Sequence, residues 1–171
     1  MYCRAMNSST SAEIVEYDRF DGAYIVHASS GRTIETWGED HPVLAIRAPS
    51  THRRVAVWLE ARSLGWARFA AAIRDGERYE THMEGKVRPG LSGERAANIH
   101  VFIGRTTSGR ILISLRPLDR ADGDAAQVRL LPEAAHRLGI AMAECDHRAR
   151  RALVFDALRE QTEEIVNVRN R

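Results

Sequence analysis

Lysine is almost missing from this chain: Lys86 stands alone among 171 residues, against twenty-four arginines. Arginine carries a planar, permanently charged fork that pairs with phosphate and stacks on bases, so the bias favours such contacts. It also follows from GC-rich coding and identifies no partner by itself. Cysteine is as scarce. Cys3 and Cys145 are the two present, which excludes a disulfide scaffold and a zinc site built mainly from cysteine. The apolar runs fall far short of the ~20 residues that cross a bilayer. The opening MYCRAMNSSTSAE lacks the apolar core of a signal peptide, so a cytoplasmic protein with no membrane attachment is expected. Aromatic residues make up 6%, which limits any surface that would stack on bases.

Catalytic motifs are missing too. The seven histidines form no HExxH or HxH, no GxSxG occurs, and Gly90-Leu91-Ser92-Gly93 lacks the ending of a phosphate loop. Glu144, Cys145, Asp146 and His147 are adjacent in sequence, but on a helix consecutive residues point apart. No catalytic residue, metal site or cofactor is expected, and the chain reads as a non-enzyme.

What is present is a pattern that occurs twice. Glu13 to His27 and His100 to Ser114 overlay with Gly22 on Gly109, each as two apolar runs about a glycine turn. Leu44, Ile46 and Pro49 then lead toward His52, Arg53 and Glu60, as Val128, Leu130 and Pro132 lead toward His136, Arg137 and Glu144. Between these come strands over 32–37 and 43–47 in the first half. The second half has strands over 78–87, 99–103, 110–115 and 127–131. Val55, Trp58, Trp66, Phe69 and Ile73 fall on one face of a helix after Pro49, divided by Gly65. Pro132 opens a second helix with Glu133 in its first turn. Its apolar stripe, from Leu138 through Met142, Cys145 and Phe155 to Ile165, is longer than a small sheet can cover. The expectation is an α+β protein of two related halves, each an antiparallel β-sheet followed by an amphipathic helix. Residues 1–12 are expected to be a disordered N-terminus, with 13–76 the first half and 77–171 the second. A homodimer or larger assembly through the C-terminal helix is expected.

Charge is uneven. Residues 1–75 carry nine basic and nine acidic groups, and 133–171 seven of each. The segment from Lys86 to Arg120 carries seven basic groups (Lys86, Arg88, Arg95, Arg105, Arg110, Arg116, Arg120) against Glu94 and Asp119. Lys86, Arg88, Arg105, Arg110 and Arg116 are therefore the candidate phosphate contacts, with Tyr24 and Trp37 from the first half as stacking residues and Arg129 a further cation on the same sheet.

Within Gly109 to Met142 a glycine turn, the strand ILISLRP, a polar loop, the strand VRLLP and the helix EAAHRLGIAM follow in order. This resembles the strand-strand-strand-strand-helix unit of the PC4 and Whirly single-stranded-DNA-binding families. A doubled unit would resemble Whirly proteins, whose sheets bind single strands and which assemble through their helices. The resemblance implies a nucleic-acid partner, single-stranded DNA or RNA, and a role in transcriptional regulation. Val43 to Ile73 is also similar to a ribbon-helix-helix unit, which would bind duplex DNA. A non-catalytic interaction module, assembling through the C-terminal helix without nucleic acid, is the reading from another class.

Overall fold

The computed structural model describes residues 14–18, 23–38, 41–47, 56–60, 65–88, 95–118 and 125–169. Among them are the strands β1 (Ile14–Asp18), β2 (Ala23–His27), β3 (Thr33–Gly38), β4 (Pro42–Arg47), β5 (Ala56–Glu60), β6 (Tyr79–Arg88), β7 (Arg95–Arg105), β8 (Ile111–Pro117) and β9 (Ala126–Leu130). Helix α1 (Gly65–Asp75) lies between β5 and β6, and α2 (Pro132–Arg169) follows β9. The class is α+β, with antiparallel strands followed by a helix in each half. Each strand pairs antiparallel with the next, and β5 joins β4 of the first half to β6 of the second.

Strand alternation fixes which face is buried. In β7 and β8, Ile99, Val101, Ile103, Ile111, Ile113 and Leu115 point inward and are buried. The residues between them face the other way. Val26, Ile34, Leu44 and Ile46 do the same for the first half and join the same core. Each such aliphatic side chain contributes about 1.5–3 kcal/mol when fully removed from water.

The ends of both helices follow from local chemistry. Gly76, with φ 64°, ends α1, and the Glu77 amide donates back to the Ala72 carbonyl at 3.0 Å, a Schellman closure. Pro132 opens α2, where its missing amide leaves nothing unpaired. α2 lies across β1–β4, closest to β3, so the helix of the second half covers the sheet of the first. α1 reaches the second sheet: Phe69 stacks on Tyr79 of β6 at 6.1 Å, and Gly76 lies under Ile111 of β8. The two helices meet closely. A Cβ on Gly139 would lie 2.6 Å from the Ala70 carbonyl oxygen and from the Arg74 amide nitrogen. One turn on, the buried Trp66 indole donates to the Met142 carbonyl at 3.0 Å.

Three expectations change. Where the helix after Pro49 was expected to include Trp58, residues 56–60 are instead strand β5, with Val57 opposite Ile46 and Trp58 opposite Ala45; Val55 lies outside the described residues. A short run of β-branched and aromatic residues satisfies either period, and the open edge of β4 decides it. The ribbon-helix-helix expectation thereby loses its first helix, and its strand β4 lies inside the sheet instead of on a free ribbon. The loop expected over 88–98 is shorter, since β7 already begins at Arg95.

The third change concerns the internal match. Gly22 lies outside the described residues. The turn equivalent to Gly109 is the one at Gly31, two strands before the end of its four-stranded unit, as Gly109 is. In both, the glycine has φ 79° and donates to the carbonyl three residues back at 2.9 Å (Ala28, Thr106). The amides of Ala28 and Thr106 close the hairpins onto Arg32 and Arg110 at 2.9 and 2.8 Å. Ser30-Gly31-Arg32 thus corresponds to Ser108-Gly109-Arg110.

Substitution of Gly139 by alanine tests the helix contact. The added methyl meets backbone that cannot turn aside, so the variant should lose about 1–3 kcal/mol in urea unfolding at an unchanged slope. Unaltered stability would show that the helices are not held at that distance.

Candidate functional site

The outward face of β6–β9 carries a mixed polar and aromatic surface, set by register. One row across the strands is Glu80, Phe102, Ser114 and Gln127; the next is His82, His100 and Arg116. Leu112 and Arg129 form the row on the other side. Phe102 is half-buried, and its ring lies over Gly104, where a Cβ would come within 2.8 Å of it. The glycine lets the ring lie along the sheet. Gln127 donates to Ser114 at 3.3 Å beside it.

Charge divides across this face. Glu80 and Glu84 stand on β6, whereas the cations Arg116 and Arg129 stand exposed on β8 and β9. His100 Nε2 lies 2.8 Å from Glu80 Oε1, and this hydrogen bond is the main reason that the Glu80 carboxyl sits below the usual carboxylate range. The His82 and His100 rings are 5.3 Å apart.

The residues expected from the sequence divide between surfaces. Arg116 is on the outward face of β8, Arg110 immediately precedes that strand, and Lys86 shares the outward face of β6, near its far end. Arg105 has the opposite parity. It pairs with the inward Ile111, and its guanidinium lies over Gly76 at the end of α1. Arg88 ends β6 opposite Ala56, and its side chain lies outside the described residues. Tyr24 points to α2, where its hydroxyl donates to Glu144 at 2.6 Å and Arg148 lies 5.8 Å from its ring centroid. Trp37, opposite Val43, has the other parity from Tyr24 and lies in the first half's sheet. The two aromatic residues therefore share no surface with each other, and Trp37, although on the outward side, stands on β3 and is separated in strand order from Arg116 on β8.

Sequence reasoning missed Arg32. Its Nη1 donates to the Gln127 carbonyl at 2.6 Å, across the outer edge of β9. There the β2–β3 turn meets the second sheet, and Ser29, Ser30, Arg32, Arg110, Gln127 and Arg129 line a cavity of about 460 Å³. The recurrence of Ser-Gly-Arg at 30–32 and 108–110 is the sequence signal that would have marked it.

The Glu144–His147 cluster does not converge. Cys145 is buried, and burial pushes its thiol pKa up despite the nearby Arg148. Asp146 pairs with Arg150 at 3.0 Å, and Glu144 accepts from Tyr24. Among the described residues no group of three or more histidine, cysteine or acidic side chains is placed to hold a metal ion. No helix among them is long and apolar enough to cross a membrane. No protein-family model, curated protein or solved structure matches the chain.

The lowered Glu80 carboxyl has a consequence for acid titration. Stability from its hydrogen bond is complete above the ordinary carboxylate pKa and is lost as pH falls through the lowered folded-state value. In His100→Ala the Glu80 midpoint should move up toward the ordinary range, read by side-chain carbon NMR. A midpoint that stays put would assign the shift to other charges.

Proposed function

We propose that this protein binds single-stranded nucleic acid, DNA or RNA, on the outward face of β7–β9. The observation that carries this reading is Phe102, lying over Gly104 on a face that neither helix covers and flanked by Arg116 and Arg129. A single strand needs a ring on which a base can stack and cations spaced along its backbone. The acidic side chains on β6 direct such a strand along β8 and β9, where the arginines stand. The order of four strands and a helix in the second half, β6–β9 and then α2, is the arrangement that the likeness to PC4 and Whirly proteins implies, and it supports the same reading. Transcriptional regulation is the role that accompanies it. Tyr24 has no part in this surface, because its ring and hydroxyl are engaged with α2.

Fluorescence anisotropy with single-stranded oligonucleotides across a salt series tests the reading. Phe102→Ala should weaken binding by about tenfold or more. Arg116→Ala should flatten the dependence of log affinity on log salt by about 0.7. Absence of binding at low salt, or unchanged affinity in Phe102→Ala, would overturn it.

A second reading concerns assembly and is favoured by a separate observation. α2 has 38 residues, about 57 Å, and its distal part exposes Leu153, Val154, Phe155 and Leu158. Four large apolar side chains on two turns suit a second copy of the same helix. Sedimentation velocity should find a dimer or larger species, converted to monomer by Phe155→Asp with Leu158→Asp. A monomeric wild-type protein at high concentration would remove this reading.

A further inference from the structure

Two apolar surfaces of α2 are exposed, and they lie on one side of the helix. Beside α1, the two helices leave a groove of about 620 Å³ whose floor is small and apolar: Ala67, Ala70 and Ala71 on α1, Gly139 and Ala143 on α2, with the 42% exposed Ile140 at its edge. The groove follows from the close approach at Gly139, because short side chains that let two backbones meet leave a trough above them. Farther along α2, every residue from Leu153 to Glu163 is exposed. A helix draws most of its stability from packing an apolar face, so this segment is helical without the support that its sequence can use.

The helical period joins the two surfaces. Ile140, Ala143, His147, Arg151, Val154 and Leu158 recur at threes and fours and form one stripe. Its first three residues line the groove, and its last two, with Phe155 beside them, make an apolar ridge. Leu153 lies off the stripe. The stripe also has a centre: Ile140 and Leu158 stand nine residues to either side of Ala149, Ala143 and Phe155 six, His147 and Arg151 two. A two-fold axis at that level lays a second α2 antiparallel to the first and matches Leu158 to Ile140, Phe155 to Ala143 and Arg151 to His147 in one operation. Large side chains then enter the space that small ones leave, a ridge in a groove. Charge agrees with this register, since Arg151 of one copy comes within a turn of Glu144, an acid that lines the groove of the other. A helix from an unrelated protein would fill the groove and leave the ridge bare. A second copy covers both.

We propose that the distal part of α2 docks in the α1–α2 groove of a second copy, and the reverse, in an antiparallel two-fold dimer centred near Ala149. This inference rests on the assembly reading above and gives it a geometry: each distal helix meets the folded body of the other molecule instead of pairing with the other distal helix alone. The helices lie on the inward side of the strands, so a dimer joined through them keeps the outward faces of both sheets on its outside.

Ile140→Asp alters the groove and no distal residue. In sedimentation velocity it should raise the dimer dissociation constant by about tenfold or more, and a dimer of unchanged strength overturns the docking. A distance between spin labels decides the point without touching the contact surface, should that variant disturb the nearby core. In the full chain with Cys3→Ser and Glu163→Cys, Cys145 is buried and the label sits off the stripe. Residue 163 stands about 21 Å along the helix from the two-fold axis, so the antiparallel dimer places the two labels about 40–50 Å apart. Distal halves paired side by side in parallel would bring them within about 30 Å. That shorter distance, or any other outside the expected range, overturns the docking while the assembly reading stands. A monomer at high concentration removes both.

Discussion

The contact of α1 with α2 at Gly139 is the constraint on which the rest of the molecule depends. The helices approach until backbone and Cβ atoms of α1 fill the space of a side chain on α2, and Trp66 is hydrogen-bonded to the facing helix. This junction lets α2 cover the first half's sheet while α1 turns its end under the second. Neither half has its own helix to itself. Each needs the other to bury its inward aliphatic rows, so the chain gains one shared core in place of two small ones, and a small core is marginal alone. The same arrangement spends both helices on inward faces, and neither covers the outward face of β6–β9.

Much of this was legible in the sequence, and the places where it was not have physical causes. Period-two alternation with β-branched residues marked β7 and β8, and Pro132 with Glu133 marked the start of α2. Residues 56–60 were ambiguous because the short apolar run Ala56-Val57-Trp58-Leu59 fits a buried helix turn as well as a strand. Only a neighbour with an open edge resolves that, and the neighbour is set by tertiary structure. Asp21-Gly22 carries the stronger local turn signal and drew the internal match to itself. The turn that corresponds in backbone conformation is the plainer Ser30-Gly31-Arg32, identified by the positive φ of its glycine and its paired hydrogen bonds.

The site was less legible than the fold, for a reason that register makes plain. Composition located an arginine-rich middle segment, but a one-residue difference in parity sends a side chain to the opposite face of a sheet. Arg105 pairs with the inward Ile111 and Arg116 with the outward His100, so one lies over the end of α1 and the other on the outward face. Tyr24 fails as a stacking residue by the same rule: its face of β2 is the one α2 covers. Phe102, absent from the stacking residues expected from the sequence, gains its place from Gly104, whose missing side chain leaves room for the ring.

Arg32 shows why the scarcity of lysine matters here. β9 is the last strand of the sheet among the described residues, and no further described strand pairs with its outer edge. A planar guanidinium can take one of the carbonyls on that edge and still present donors to a second partner, whereas an ammonium offers a single point of charge. One side chain therefore covers an edge of the sheet and lines the cleft between the halves. Loss of that carbonyl contact would loosen β9 and displace Gln127 and Arg129 with it, since both are carried on the same strand. The geometry of the cleft and the protection of the edge are one structural fact, and the corresponding Arg110, on the second copy of the turn, lines the same cavity.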